Sequence, residues 1–306
     1  MAGEIVLTIK ETNLLRKRFQ QLIDLREELL NHPDKKTVHD LRVASRRARE
    51  ALAYFEESLP AVWQQRLRRP AKEITGRLGD LREAEVNLML AQKLSGEQSI
   101  PPLAGEMLLH ILSERLRRLM QKVRRRTKSS KLGPYSKFLA RLRGSRTCVP
   151  AVQEVIRRRA DEFYGFTLPQ EMNDEQLHQL RILTKKFRYA LEIDNRLRTL
   201  KIGRFILRVR RLQELLGTIH DLFVFAEVIR AEIEKWKQPG LDLIPEALNE
   251  ALRIVVERKT ALYSRVPVLH SRVIDNSPES VPSTPKKVVQ SVTETTIENS
   301  PGSISA

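Results

Sequence analysis

Two stretches of the chain carry cations at spacings suited to gripping an anion. From His39 the sequence places Arg42, Arg46, Arg47 and Arg49 within three helical turns, and from His178 it places Arg181, Lys185, Lys186 and Arg188. The segments VHDLRVASRRAREAL from 38 and LHQLRILTKKFRYAL from 177 align without gaps at an offset of 139, and LGDLREAEV from 78 matches LGTIHDLFV from 216 at an offset of 138. Two matches that keep their spacing to within one residue identify two copies of a helical unit of about 120 residues.

At about 100° per residue, Leu41, Ala44, Ala48, Ala51, Leu52 and Phe55 fall on an arc of about 120 to 220°, and His39, Arg42, Arg46 and Arg49 on one of about 280 to 360°. The second copy repeats this with Leu180, Leu183, Phe187, Ala190 and Leu191 on the apolar arc and His178, Arg181, Lys185 and Arg188 on the basic one. Most charged arcs are solvated faces, but those mix signs for i, i+4 pairing. Here the acids stand only at the edge, as Glu50 and Glu192, and the pattern persists although Ser45 faces Thr184 and Asp40 faces Gln179 in the alignment. Anion binding is the preferred reading. Histidines with an unperturbed pKa of about 6.5 then donate to phosphate when charged, so binding is expected to tighten on mild acidification.

Composition agrees. The 306 residues hold 55 Lys plus Arg against 38 Asp plus Glu, a net charge of +17, and 37 of the cations are arginine, whose planar fork suits phosphate oxygens. Only 16 residues are aromatic and none alternates with arginine in the 38 to 52 stretch, so the stacking platforms of single-strand nucleic-acid binders are missing. Charge alone leaves a nucleic-acid binder as an alternative, although no helix-turn-helix, zinc-finger or RNA-binding motif is visible. His39-Asp40 and His220-Asp221 spell the doublet of metal-dependent phosphohydrolases, a second alternative. Their partners across the repeat are Gln179 and Arg82, so neither doublet survives in the other copy. Lone Cys148 gives no internal disulfide, and we read it as idle. No membrane span or signal pattern is seen, which makes a cytoplasmic protein the expectation.

The elements that must position these rows are helices. Apolar residues recur at three- and four-residue spacing from Thr12 to about His270, which predicts an all-α chain with helices near 12 to 31, 36 to 58, 61 to 95, 103 to 130, 151 to 164, 174 to 198, 200 to 237 and 246 to 268. The expected organisation is an N-terminal extension (1 to 11), a first four-helix bundle (12 to 130), a linker (131 to 150), a second four-helix bundle (151 to 270) and a disordered tail (271 to 306). The tail has three cations and four anions, so the excess charge belongs to the remainder. Rows at Arg115, Arg118, Lys122 and Arg125 and at Arg204, Arg208 and Arg211 could line the same groove or be solubilising charge. Gly79 and Gly217, at matching positions inside helices, suggest a close helix approach or a bend. Trp63 and Trp236 read as packing.

The pattern His39-x-x-Arg42-Val43-x-x-x-Arg47-x-Arg49, followed by Leu78-Gly79-x-x-Arg82-Glu83, resembles the CHAD family, the conserved histidine α-helical domain. The second copy, with His178, Arg181, Lys185-Lys186 and Arg188-Tyr189, is similar to that family's second half. The resemblance implies two tandem four-helix bundles related by a pseudo-two-fold axis, enclosing a basic channel that binds inorganic polyphosphate. It implies no catalytic residue, metal or cofactor, and a use in targeting to polyphosphate granules. It assigns phosphate contact to His39, Arg42, Arg46, Arg47, Arg49, Arg82, His178, Arg181, Lys185, Lys186 and Arg188. Glu83 departs from the Asp that commonly follows Arg82, and Glu85 from a further Asp, whereas Asp221 is kept in the second copy.

Overall fold

A computed structural model describes residues 7–31, 34–128, 132–145, 152–237 and 242–281. Cys148, the linker from 146 and the tail from 282 lie outside the described residues. Among those described the protein is all-α: α1 (Ile9–Asn31), α2 (Lys35–Tyr54), α3 (Ala61–Gly96), α4 (Pro102–Lys128), α5 (Gly133–Arg141), α6 (Val152–Tyr164), α7 (Asp174–Arg198), α8 (Gly203–Trp236), α9 (Leu243–Ala261) and α10 (Arg265–Ile274). The only extended pairing among them joins β1 (Leu7–Thr8) in parallel to β2 (Gly144–Ser145).

The two helices that carry the basic rows begin alike. The Asp34 side chain caps α2 by accepting from the Thr37 N–H at 2.6 Å, and the Asn173 side chain caps α7 by accepting from the Gln176 N–H at 2.9 Å. Asp34 and Asn173 are 139 residues apart, so the repeat includes the caps that start each helix. At α7 the Gln176 side chain also accepts from the Asn173 N–H, which closes a capping box. Because both helices start in the same register, His39 and His178 fall five residues after the cap, and Arg42 and Arg181 eight residues after it.

Within each copy consecutive helices pack on one another, and between the copies α2 meets α7, α3 meets α8 and α4 meets α9. In these three pairs each helix touches its counterpart in the sequence repeat. The apolar cores are shared in the same way. One cluster joins Leu15, Phe19, Leu41, Phe55 and Trp63 to Phe163, Leu180, Phe187 and Phe205. The other joins Ala91, Leu94, Leu108 and Leu112 of α3 and α4 to Phe225, Ile229, Leu248 and Val255 of α8 and α9. The 36-residue α3 and 34-residue α8, each about 50 Å long at 1.5 Å per residue, run through both clusters.

Several stretches depart from the sequence expectation. The stretch read as a linker contains α5, whose fully buried Tyr135 stacks on Phe19 at a ring distance of 5.0 Å and whose fully buried Phe138 meets it edge-on at 5.5 Å. Residues from 271, read as tail, continue α10, and Val273 and Val281 are buried in the larger core. The helix expected over 246 to 268 is two helices, because the chain turns at Leu262 and Tyr263, whose N–H groups bond three residues back. Gly79 and Gly217 do not mark close approach, since a Cβ at either would meet nothing within 4 Å. That role belongs to Gly105, where a Cβ would lie 2.5 Å from the Ser95 Oγ of α3. Trp63 is buried against Phe138, as a packing residue.

Candidate anion-binding site

The contact between α2 and α7 brings the two basic rows together. Arg42 and Arg46 of α2, Arg82 of α3, Arg181 and Lys185 of α7, and His220 and Asp221 of α8 form a chain of electrostatic neighbours. Burial, followed by the like charges of Arg46 and Arg82, holds the Arg42 pKa below its usual value. Burial also lowers Arg181, against the pull of Asp221. Lys185 is lowered by burial and by Arg181, Arg46 and Arg49, with Glu50 opposing. Cations held half out of water and against one another favour an incoming anion, because it relieves both costs.

Tyr189 stands at the centre of this cluster. Its ring lies 5.4 Å from the Arg46 guanidinium and 4.3 Å from that of Arg188, so one aromatic face pins an arginine of α2 to an arginine of α7. Burial raises its phenol pKa, which keeps the hydroxyl a donor through the neutral range. The Tyr189 hydroxyl, Arg42 Nε and Arg46 Nε are all buried without a hydrogen-bond partner. A buried donor left unsatisfied costs about 1–3 kcal/mol, and three converging on one cluster mark where acceptor oxygens would fit.

The remaining expected residues divide. Arg188 is 7% exposed and already engaged, pairing with Glu192 and donating from Nε to the Gln213 Oε1 at 2.6 Å. It steadies Tyr189 rather than reaching outward. Arg47 is exposed and lines a cavity of about 510 Å³ between α1, α2, α7 and α8, together with Arg46, Arg188 and three arginines the sequence did not single out, Arg18, Arg196 and Arg210. Arg49 is exposed at the rim of a groove between α2 and α3, and Lys186 is exposed without a contact of its own among the described residues. His39 is exposed and makes no hydrogen bond or ring contact among the described residues. His178 is exposed with its ring 5.2 Å from His220, whose pKa falls to about 4 through burial and the nearby Arg181, His178 and Lys185. Neutral His220 is therefore a third histidine at the site, one that the doublet reading had set aside.

Glu83 and Glu85 take separate partners. Glu83 reaches across to Arg115 of α4 at 3.3 Å, while Glu85 pairs with Arg82 at 3.5 Å. Arg115, Arg118 and Lys122 line a separate pocket with Glu232 and Lys235 rather than the α2–α7 cluster. Among the described residues, no group of three or more His, Cys, Asp or Glu side chains is placed to hold a metal ion.

Two carboxylates sit inside the basic cluster, Asp221 of α8 and Glu50 of α2, and burial raises the pKa of both. Glu50 is half-buried, its pKa is raised by burial, and Lys185, Arg49, Arg46 and Arg159 pull it back down. As the pH falls toward this raised value the carboxylate takes up a proton, and the cluster loses its only inward negative charge on α2. A polyanion should then bind more tightly. Glu50→Gln is expected to tighten polyanion binding about tenfold at neutral pH, equivalent to about 1.4 kcal/mol, and to shrink the acid-side tightening to the part that Asp221, also raised by burial, supplies. Titrations at pH 5.5 and 8 with unchanged affinity and slope in this variant would remove Glu50 from the account.

The comparisons with known proteins agree with the all-α fold. A family model described as the CHAD domain matches residues 13–230. Among solved structures the chain is similar to PptA from Streptomyces chartreusis, with a TM-score of 0.67 and 16% sequence identity over 87% of this chain and 98% of that one. It is also similar to the CHAD domain from the plant Ricinus communis, with a TM-score of 0.60 and 18% identity over 89% of this chain and 94% of that one. At these identities the shared property is the fold. No curated protein matches the chain. No described helix is long and apolar enough to cross a membrane.

Proposed function

The chain belongs to the CHAD domain family, and from that premise we propose that it is a non-catalytic binder of inorganic polyphosphate, held between the basic rows of α2 and α7. The observation that carries the reading is the convergence of Arg42 Nε, Arg46 Nε and the Tyr189 hydroxyl, three buried donors without partners, among cations that repel one another. Polyphosphate supplies what this cluster lacks. It is a thread of closely spaced negative charges without bases, so it can run along two facing helices and accept from successive guanidinium groups. Arg42, Arg46, Arg181 and Lys185 make the inner contacts, with Arg82 at their edge. Arg47, Arg49, Lys186, His39 and His178 serve the approaches, and Arg188 holds Tyr189 in place. The pairing of α2 with α7, α3 with α8 and α4 with α9 supports a pseudo-two-fold arrangement of the two copies around this channel. A cytoplasmic protein that docks on polyphosphate granules would use the same site.

The test is a competition titration of the full chain with long-chain polyphosphate, ATP and duplex DNA at two salt concentrations. If about eight phosphates are engaged, the log of the affinity should fall against log salt with a slope near −0.7 per contact, or about −6 in all. Polyphosphate should outcompete the other two. Duplex DNA binding as tightly as polyphosphate would favour a nucleic-acid binder and overturn the reading.

A further inference from the structure

The cavity between α1, α2, α7 and α8 differs in character from the inner cluster. Its wall includes an aliphatic part, Leu14, Ile193 and Ile206, which are buried, and Leu207, which is 49% exposed. A bare phosphate thread has no use for such a wall. The charged lining is six arginines, Arg18, Arg46, Arg47, Arg188, Arg196 and Arg210, against three carboxylates, Glu50, Glu192 and Glu214. Arg18 is half-buried, its pKa lowered by burial and then by Arg47 and Arg196, with Glu192 opposing. None of these three arginines has an ion-pair or hydrogen-bond partner among the described residues, in contrast to Arg188 and Arg210, which share Glu192. Six arginines against three carboxylates leave an excess of three positive charges for an anion to meet. One further buried polar atom without a partner, the Asn195 side-chain oxygen, belongs to a residue of the same wall. At about 510 Å³ the cavity has the size of a small-molecule site, within the usual ~300–1,000 Å³.

We propose that this cavity is a second site, adjoining the polyphosphate cluster, which takes a nucleoside diphosphate or triphosphate. Its phosphates lie against Arg18, Arg47 and Arg196. Its base and sugar lie against Leu14, Ile206 and Leu207, where the planar guanidinium of Arg210 at the rim can cover the ring. Arg46 and Tyr189 line both this cavity and the inner cluster, so an occupant here would be sensed by the polyphosphate row.

Isothermal titration of the full chain with ADP, pyrophosphate and adenosine tests this. ADP should bind at least about tenfold more tightly than either fragment, because only it uses both walls. Arg18→Gln with Arg196→Gln should weaken ADP by at least about tenfold, with the single exposed-residue variant Arg196→Gln standing in if the pair unfolds. Leu207→Ser should weaken ADP and leave pyrophosphate unchanged. Arg42→Ala with Arg181→Ala should leave ADP within about twofold. Equal binding of ADP and pyrophosphate, or indifference of ADP to Arg18 and Arg196, would overturn the second site. Loss of ADP binding in the Arg42/Arg181 pair would merge it with the inner cluster and overturn it as well. If polyphosphate fails to bind while the ADP pattern holds, the polyphosphate reading falls and this one stands.

Discussion

Arg42→Ala combined with Arg181→Ala is expected to weaken long-chain polyphosphate binding by at least about a hundredfold while leaving the helical circular dichroism and the unfolding midpoint unchanged. Each arginine is a half-buried donor in the α2–α7 cluster, and a hydrogen bond to a charged group contributes about 1.5–3 kcal/mol. Two such losses amount to about 3–6 kcal/mol, and each 1.4 kcal/mol is a factor of ten. The fold should not suffer, because both guanidinium groups are held against burial and Arg42 also against like charges. Removing them relieves a cost that exists only in the folded state without ligand. A fall in the unfolding midpoint with little change in affinity would make these arginines structural. Matched replacements at exposed Lys186 and Arg49 should cost far less, since exposed charges are screened by salt.

The same two residues show how much could be read from the sequence. Their equivalence rests on the offset of 139, and the structure extends that equivalence to the caps at Asp34 and Asn173. Helical periodicity therefore placed the rows, and the repeat paired them. Periodicity cannot say which members of a row turn inward once two helices meet. Arg46 and Arg47 are neighbours in sequence, yet Arg46 leans over Tyr189 whereas Arg47 is exposed at a cavity rim. Nor could it show that Arg188 would be neutralised by Glu192, or that Arg18, far away on α1, would arrive beside Arg47 and Arg196. Those are consequences of tertiary packing. The Arg188-Tyr189 pair, which the sequence offers only as part of the family resemblance, sets a cation beside an aromatic ring, with Phe187 on its other side. The α5 helix escaped for a different reason. Gly133 and Pro134 look like a break, but Pro in the first turn of a helix is well placed, and Tyr135 and Phe138 behind it are spaced to face one core.

The helices that carry the rows are also tied to each other by a buried polar contact, and it sets the second large expectation. Asp194 of α7 is 1% exposed, accepts from the Tyr54 hydroxyl of α2 at 3.2 Å, and binds Arg198 one turn along through both carboxylate oxygens. Asp194→Ala leaves the Tyr54 hydroxyl, itself buried, without an acceptor, and takes the counter-charge from Arg198. Removing one partner of a buried pair costs about 3–5 kcal/mol, although Arg198 can turn toward solvent, so the lower end applies. With about 2–4 °C lost per kcal/mol in a chain of this size, the unfolding midpoint should fall by about 6–12 °C. Tyr54→Phe, which removes the hydroxyl and leaves the carboxylate its arginine, should cost about 1 kcal/mol. The double variant should cost less than the sum of the two, because Asp194→Ala no longer strands a hydroxyl once Tyr54 is Phe. Thermal unfolding of the three variants measures that coupling, and a midpoint within 2 °C of the parent for Asp194→Ala would show that the contact does not hold α2 to α7. Polyphosphate affinity at a temperature well below the transition should stay within about threefold in all three, because none of these groups reaches the cluster around Tyr189.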